Sequence, residues 1–217
     1  MENLLKIACV KLFIMSKVLV LGGPGGSGRT TIAEQIVEKT GLRRVYGGGI
    51  MRQIAIEVGY YDIDPFSGKK KFNEEKFVQF HSEYVKNHPE IDYEIEARLF
   101  KEAHLGNVLI ESMTFACIAK RMELPFTKVW VTADEKERAR RICEREEKYG
   151  NVFTIEEMIE ITKKRMEENR KRYLALYGFD FLDVDKWYDV IFDTTNIPKD
   201  QMGNLLLKIL REKGFDF

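Results

Sequence analysis

Short apolar runs alternate with longer amphipathic stretches along most of this chain. Lys17-Val-Leu-Val-Leu21 is rich in β-branched residues and bounded by glycine, the pattern of a buried strand. From Thr30 to Lys39 the residues Ile32, Ala33, Ile36 and Val37 fall on one helical stripe, and Gly41 closes it. Arg44-Val45-Tyr46 reads as a second strand, ended by Gly47-Gly48-Gly49, with a helix from Ile50 to about Val58. Tyr60 to Lys71 is turn-rich, with Pro65, Ser67 and Gly68, and Asn73 is placed to cap a helix whose first turn carries Glu74 and Glu75. His88-Pro89 breaks the pattern before a helix from Ile91 to Ala103. Val108–Ile110, ending at Glu111, is the third strand, Lys128–Val131 the fourth and Val190–Phe192 the fifth. Two strongly charged helices, Asp134 to Lys148 and Ile155 to Leu176, lie between the last two strands, and an amphipathic helix spans Gln201 to Lys213. This alternation predicts an α/β fold, a five-stranded parallel sheet with helices on both faces.

At 217 residues the chain suits one domain spanning 17–217 with small inserts. Lys+Arg and Asp+Glu are both 35, so no whole-molecule field attracts a nucleic-acid polymer or a membrane, and attraction for an anion must be local. Cys9, Cys117 and Cys143 are far apart with no C-x-x-C, which supports neither a zinc site nor a disulfide framework. Free thiols in a reducing, cytoplasmic compartment and a monomeric state are the expectation. Met1 to Ile14 is a short apolar stretch broken by Lys6 and Lys11, too short to span a bilayer and without a cleavage site. Residues 1–16 are read as an N-terminal extension or as a misassigned start, Met15 being the alternative first residue.

The strongest motif runs from Gly22 to Thr31. Gly23-Pro24-Gly25-Gly26-Ser27-Gly28-Arg29-Thr30 fits the phosphate-loop pattern G-x-x-x-x-G-K-[ST], with Arg29 where lysine is expected and Thr31 following. Glycines let the backbone curl so that successive N–H groups point at a phosphate, and the helix that follows adds unpaired amides and the positive end of its dipole. The Thr30 hydroxyl is placed for Mg²⁺, and Glu111, at the end of strand three, is the carboxylate such enzymes use to organise the metal. Arg29 keeps the positive charge, but its planar fork differs from a compact ammonium. Gly23, Gly25 and Gly28 also satisfy G-x-G-x-x-G, yet the dinucleotide reading requires an acid after the second strand, where Tyr46 and Gly47 to Gly49 stand instead.

Arg52, on the helix after strand two, opens toward the carboxyl edge of a parallel sheet and is a candidate for holding an acceptor's phosphate. Arg98 is a second candidate, and an intrahelical pair with Glu94 is the competing reading. The two charged helices carry Arg138, Arg140, Arg141 and Arg145, then Arg165, Arg170 and Arg172. They read either as a solvated face or as a lid over about 138–175, whose arginines stabilise charge on a moving phosphoryl group.

Several stretches together resemble archaeal-type cytidylate kinases over nearly all of Lys17 to Thr195. They are Gly26-Ser-Gly-x-Thr-Thr31, Tyr46-x-Gly48-x-Ile50-x-Arg52-Gln53, His88-Pro-Glu-Ile-Asp92, Asn107-Val-x-Ile-Glu111, Glu137-Arg-Ala-x-Arg141 and Asn169-Arg-Lys-Arg-Tyr-Leu-x-Leu-Tyr-Gly178, followed by Tyr188-Asp189 and Thr194. The resemblance implies a P-loop NTPase fold with an acceptor-binding segment at about 47–105 and a helical lid. It also implies transfer of the ATP γ-phosphoryl group to CMP or dCMP with Mg²⁺. In it Arg52 and Arg98, with Gly48, serve the acceptor, the phosphate loop serves ATP, and Arg141, Arg145, Arg165 and Arg172 serve catalysis from the lid, while Arg29 is a catalytic candidate that departs from the family's lysine. The family has Glu-Gly-Arg after strand three, whereas this chain has Glu111-Ser112-Met113, with Ala116 and Cys117 replacing a glycine and a tryptophan. A kinase for a different small acceptor, or a catalytically weak ATP-binding regulator, are the alternatives.

Overall fold

The computed structural model describes residues 17–215 except Phe66 and Phe72, so the choice between an extension and a start at Met15 lies outside the described residues. In chain order the first elements are β1 (Val18–Gly22), α1 (Arg29–Thr40), β2 (Arg43–Tyr46), α2 (Gly47–Glu57), β3 (Asp62–Ile63), β4 (Lys70–Lys71), α3 (Glu74–Gln79) and α4 (Ile91–Leu105). Then come β5 (Val108–Glu111), α5 (Phe115–Arg121), β6 (Thr127–Thr132), α6 (Glu135–Glu147), α7 (Ile155–Tyr177), α8 (Val184–Trp187), β7 (Val190–Asp193) and α9 (Met202–Glu212). They form two compact units, one running to Arg44 and resuming at Gly106, the other Val45–Leu105.

The first unit is organised by a five-stranded sheet in the order β2-β5-β1-β6-β7, with β1 parallel to β5 and β6, and β6 parallel to β7. Its inner strands are apolar at consecutive positions because both faces are covered. On one face Leu19, Leu21, Leu109, Val129, Val131 and Phe192 meet Ile32 and Ile36 of α1 and Leu206 and Leu210 of α9. On the other, α5 packs on β1, and Trp130 meets Tyr188 with ring centroids 5.2 Å apart. Each fully buried Leu or Ile contributes about 1.5–3 kcal/mol. The chain passes from one side of β1 to the other between β5 and β6, so the carboxyl end of β1 is the switch point at which α/β sheets open a ligand crevice.

The charged helices α6 and α7 pack against each other through Ala139, Ile142 and Met158. Lys163 of α7 also pairs with Glu135 of α6 at 3.2 Å. Asp134 caps α6, and Thr154 with Glu157 forms a capping box at the start of α7. The break between the two helices is therefore written in side chains that satisfy the exposed amides of the second helix.

In the Val45–Leu105 unit, α4 buries Ile91, Ile95, Leu99 and Ala103, a stripe of period four, and packs on α2, which buries Ile54 and Ala55. A π-helical turn at Phe80–Tyr84 places the fully buried Phe80 among Tyr60, Phe77 and Tyr84, with centroids 5.5, 5.8 and 5.6 Å away. Asn73 caps α3 through Oδ1, which accepts from the Lys76 amide at 2.8 Å. Helix α2 starts at Gly47, three residues before the sequence pattern places it, because glycines give no apolar signal for the first turn. The hairpin β3–β4 and the short helices α5 and α8 are absent from the sequence reading, being too brief for periodicity to register.

Candidate active site

The loop from Gly22 to Gly28 lies at the carboxyl end of β1 and feeds directly into α1. Gly23 and Gly26 are required by geometry. Gly23 has φ +140°, and a Cβ there would lie 2.1 Å from the Val131 carbonyl oxygen. Gly26 has φ +77°, and its Cβ would meet the Arg138 carbonyl at 2.5 Å. Pro24 is buried, Gly25 exposed, and Gly28 precedes α1 in the left-handed conformation.

The loop carbonyls have partners from elsewhere in the unit. Arg141 Nη1 donates to Gly26 O at 3.3 Å, and Thr194 Oγ1 donates to Ser27 O at 2.9 Å. Thr194 Oγ1 also lies 3.1 Å from the Thr132 carbonyl. Ser27 Oγ, by contrast, is buried and makes no hydrogen bond with a described residue. A buried hydroxyl of this kind, in a curl of backbone backed by a helix start, fits a site that receives a polar anionic ligand.

Arg29 opens α1 half-buried. Burial draws its guanidinium below its ordinary pKa, while Glu111 and Tyr188 act to raise it and Arg165 to lower it. Glu111, a buried carboxylate, and Arg165, an exposed cation, thus each lie within electrostatic range of Arg29. Glu111 is held by Arg44, whose Nε donates to Oε1 at 2.8 Å, and Arg44 also reaches Glu34 at 3.3 Å. Sequence reasoning missed Arg44: β2 and β5 are neighbours in the sheet, but nothing in the chain announces which strand-two residue faces Glu111. Thr30 is exposed and Thr31 half-buried in the first turn of α1. Among the described residues no three His, Cys, Asp or Glu side chains cluster as metal ligands. A bound Mg²⁺ would therefore rest on the Thr30 hydroxyl, the Glu111 carboxylate and oxygens of the nucleotide itself. A hydroxyl, a carboxylate and phosphate oxygens are a hard-oxygen donor set of the kind Mg²⁺ takes.

The structure sorts the arginines of α6 and α7. Arg141 donates through Nε to Glu137 at 2.8 Å and through both terminal nitrogens to Thr194, at 2.9 Å each, besides its contact with Gly26. Glu137 also holds Arg140, which with Arg141 lowers its pKa to about 2. Arg145, exposed, pairs with its half-buried neighbour Glu146, and Arg165 is exposed. Arg172 lies over the Tyr173 ring at 4.7 Å and donates to its hydroxyl at 2.8 Å. Arg170 is tied to Asp180.

The remaining predicted residues belong to the Val45–Leu105 unit. Arg52 lies across the first turn of α2, 3.7 Å from where a Cβ on Gly48 would stand, with its guanidinium 5.4 Å from the Phe77 ring centre. Arg98 is gripped on two edges: its terminal nitrogens form a fork with Glu57 at 3.0 and 2.6 Å, and Nε donates to Glu94 at 2.7 Å. The intrahelical pair with Glu94 is thus present, extended across to α2. These carboxylates push the Arg98 pKa up, and Arg98 holds Glu57 below its usual value. Met113 is half-buried and its carbonyl accepts from the Tyr188 hydroxyl at 3.2 Å.

Residues 18–196 match the model of the cytidylate kinase-like family. A cytidylate kinase of Pyrococcus horikoshii is 36% identical over 178 residues, covering 82% of this chain and 80% of its own length. One of Methanopyrus kandleri is 31% identical over 202 residues, covering 90% of this chain and 93% of itself. Among solved structures, a shikimate kinase from Acinetobacter baumannii in complex with shikimate aligns with a TM-score of 0.58 at 11% identity, over 95% of this chain and 99% of that one. An uncharacterized protein from Eubacterium ventriosum aligns at 0.62 and 15% identity, over 91% and 99%. These two likenesses show the fold, and the sequence matches identify the family. The chain belongs to the cytidylate kinase-like family.

Proposed function

We propose that this protein transfers the γ-phosphoryl group of ATP to CMP or dCMP, forming CDP or dCDP, with Mg²⁺. The observation that carries the reading is the loop at the end of β1, whose Gly23 and Gly26 admit no side chain and whose buried Ser27 hydroxyl has no partner among the described residues, in a chain of this family. The amides from Gly25 to Thr30 bind the ATP phosphates, and the positive end of α1 favours their charge. Arg29 stands in for the usual lysine and spreads positive charge over the transferred group, joined by Arg165 from α7. Thr30 and Glu111 hold the metal, which when bound neutralises charge on the β- and γ-phosphates. Arg44 keeps the Glu111 carboxylate oriented.

Arg52 and Arg98, with Gly48 leaving room at the first turn of α2, hold the acceptor's phosphate. In this scheme catalysis is positioning plus charge neutralisation, with no covalent intermediate on the protein. No helix among the described residues is long and apolar enough to cross a membrane. The free thiols Cys117 and Cys143 support a reducing, cytoplasmic setting. A coupled assay of ADP release with CMP, dCMP, UMP and AMP tests the reading. Turnover is expected with CMP or dCMP, and ATP binding without turnover of any monophosphate would overturn it.

A further inference from the structure

We propose that Thr194, acting with Arg141, is a positioning residue that sets the phosphate loop in its binding conformation before a nucleotide arrives. This rests on the reading that the loop holds ATP.

Thr194 is fully buried immediately after β7 and touches three segments that are remote in sequence. Its hydroxyl lies 2.9 Å from Ser27 O in the loop and 3.1 Å from Thr132 O at the end of β6, and it accepts from Arg141 Nη1 of α6 at 2.9 Å. A hydroxyl has one proton and two lone pairs, so it donates to the nearer carbonyl, that of Ser27, while accepting from the guanidinium. Arg141 completes the clasp by donating to Thr194 O at 2.9 Å and to Gly26 O at 3.3 Å. Its own orientation is held by Glu137, which stays ionised down to about pH 2.

The consequence follows from peptide geometry. In a trans peptide the C=O and the next N–H point in opposite directions. Drawing Gly26 O toward Arg141 and Ser27 O toward Thr194 turns the amides of Ser27 and Gly28 to the other side of the loop. The Ser27 amide keeps only a long 3.4 Å contact with Pro24 O. Two N–H groups are thereby aimed at a common space, the arrangement that binds an anion. A glycine-rich loop left to itself would sample many conformations, and ordering it on binding would cost affinity. Thr194 and Arg141 supply that order in advance.

The test compares Thr194→Val, which keeps the shape and removes the hydroxyl, with Thr194→Ser, which keeps the hydroxyl. Affinities for Mg²⁺–ATP and for CMP are measured separately by titration calorimetry, alongside melting temperature. Thr194→Val is expected to weaken ATP binding about tenfold, the size expected for leaving a buried carbonyl and a guanidinium donor without their partner. CMP affinity should be unchanged, and Thr194→Ser should restore ATP binding. Wild-type ATP affinity in a folded Thr194→Val protein, or an equal loss for ATP and CMP, would overturn the proposal. If Thr194→Val does not fold, Arg141→Met carries the same test: selective loss of ATP affinity supports the clasp and unchanged affinity refutes it. Absence of ATP affinity in the wild-type protein would instead bring down the nucleotide reading, and this inference with it.

Discussion

The two units hold their cations in different ways. Around the phosphate loop, Arg141 donates to the Gly26 and Thr194 carbonyls besides its pair with Glu137, Thr194 donates to the Ser27 carbonyl, and Arg44 donates to the buried Glu111. In the Val45–Leu105 unit, Arg98 is partly exposed and faces the side-chain carboxylates of Glu57 and Glu94, themselves about half exposed. A guanidinium bound to buried backbone is fixed by the fold, because letting go leaves an unsatisfied carbonyl. An ion pair between half-exposed side chains is worth little and exchanges readily. On the proposed reading the phosphate loop is preformed for ATP, while Arg98 would stay charged and oriented until an acceptor's phosphate displaced its carboxylates. The difference teaches that similar residues in one protein serve rigidity or exchange according to what they touch.

The largest effect is expected where the preformed side is struck directly. Gly23→Ala forces a Cβ to within 2.1 Å of Val131 O at φ +140°, and ATP affinity should fall by about a hundredfold in a calorimetric titration, with CMP binding retained. Loss of both affinities together would break the contrast between the units. Arg98→Met should raise KM for CMP by about tenfold or more and leave KM for ATP unchanged, because it removes a charged fork from the acceptor's phosphate alone. Glu57→Gln sharpens the same point in the opposite direction, since Arg98 then loses a competitor; KM for CMP should fall by about threefold. A rise on Glu57→Gln would show that the carboxylate positions Arg98 and does not yield to substrate.

Two smaller effects probe supports of the first unit. Arg44→Met removes the donor 2.8 Å from the Glu111 carboxylate, and the Mg²⁺ concentration for half-maximal rate should rise by about tenfold. Glu137 titrates at about 2 in the folded chain against an ordinary 4.5, so the stability it contributes is present above pH 4.5 and lost as pH falls toward 2. Melting temperature should accordingly drop across that window in the wild-type protein, and Glu137→Gln should flatten part of the drop. An acid profile identical in the two proteins would remove Glu137 from the group that anchors Arg141.

Much of the fold was legible because strands and long helices announce themselves by apolar period. The five strands of the sheet were placed to within a residue or two, and the Asn73 cap and the Gly41 stop were both readable from local chemistry. The two-residue strands β3 and β4 and the short helices α5 and α8 were not, since their few positions carry neither a period nor a cap signal. In the site, the phosphate loop was readable for the same local reason: its glycines, serine and threonines are consecutive.

What the chain could not show was which distant groups face each other. Seven arginines on two helices look alike as sequence, yet one clasps the loop, one stacks on a tyrosine, one ties down Asp180 and others pair along their own helix. Thr194 stands 167 positions from the Ser27 carbonyl it holds, and Arg44 stands 67 from Glu111. By itself the sequence determined the strand–loop–helix proposed to bind phosphate, because a curled backbone and a helix start are made by neighbouring residues. Tertiary structure alone decided which side chains hold that curl in place, because hydrogen-bond partners across a parallel sheet are chosen by strand order and register, not by adjacency along the chain.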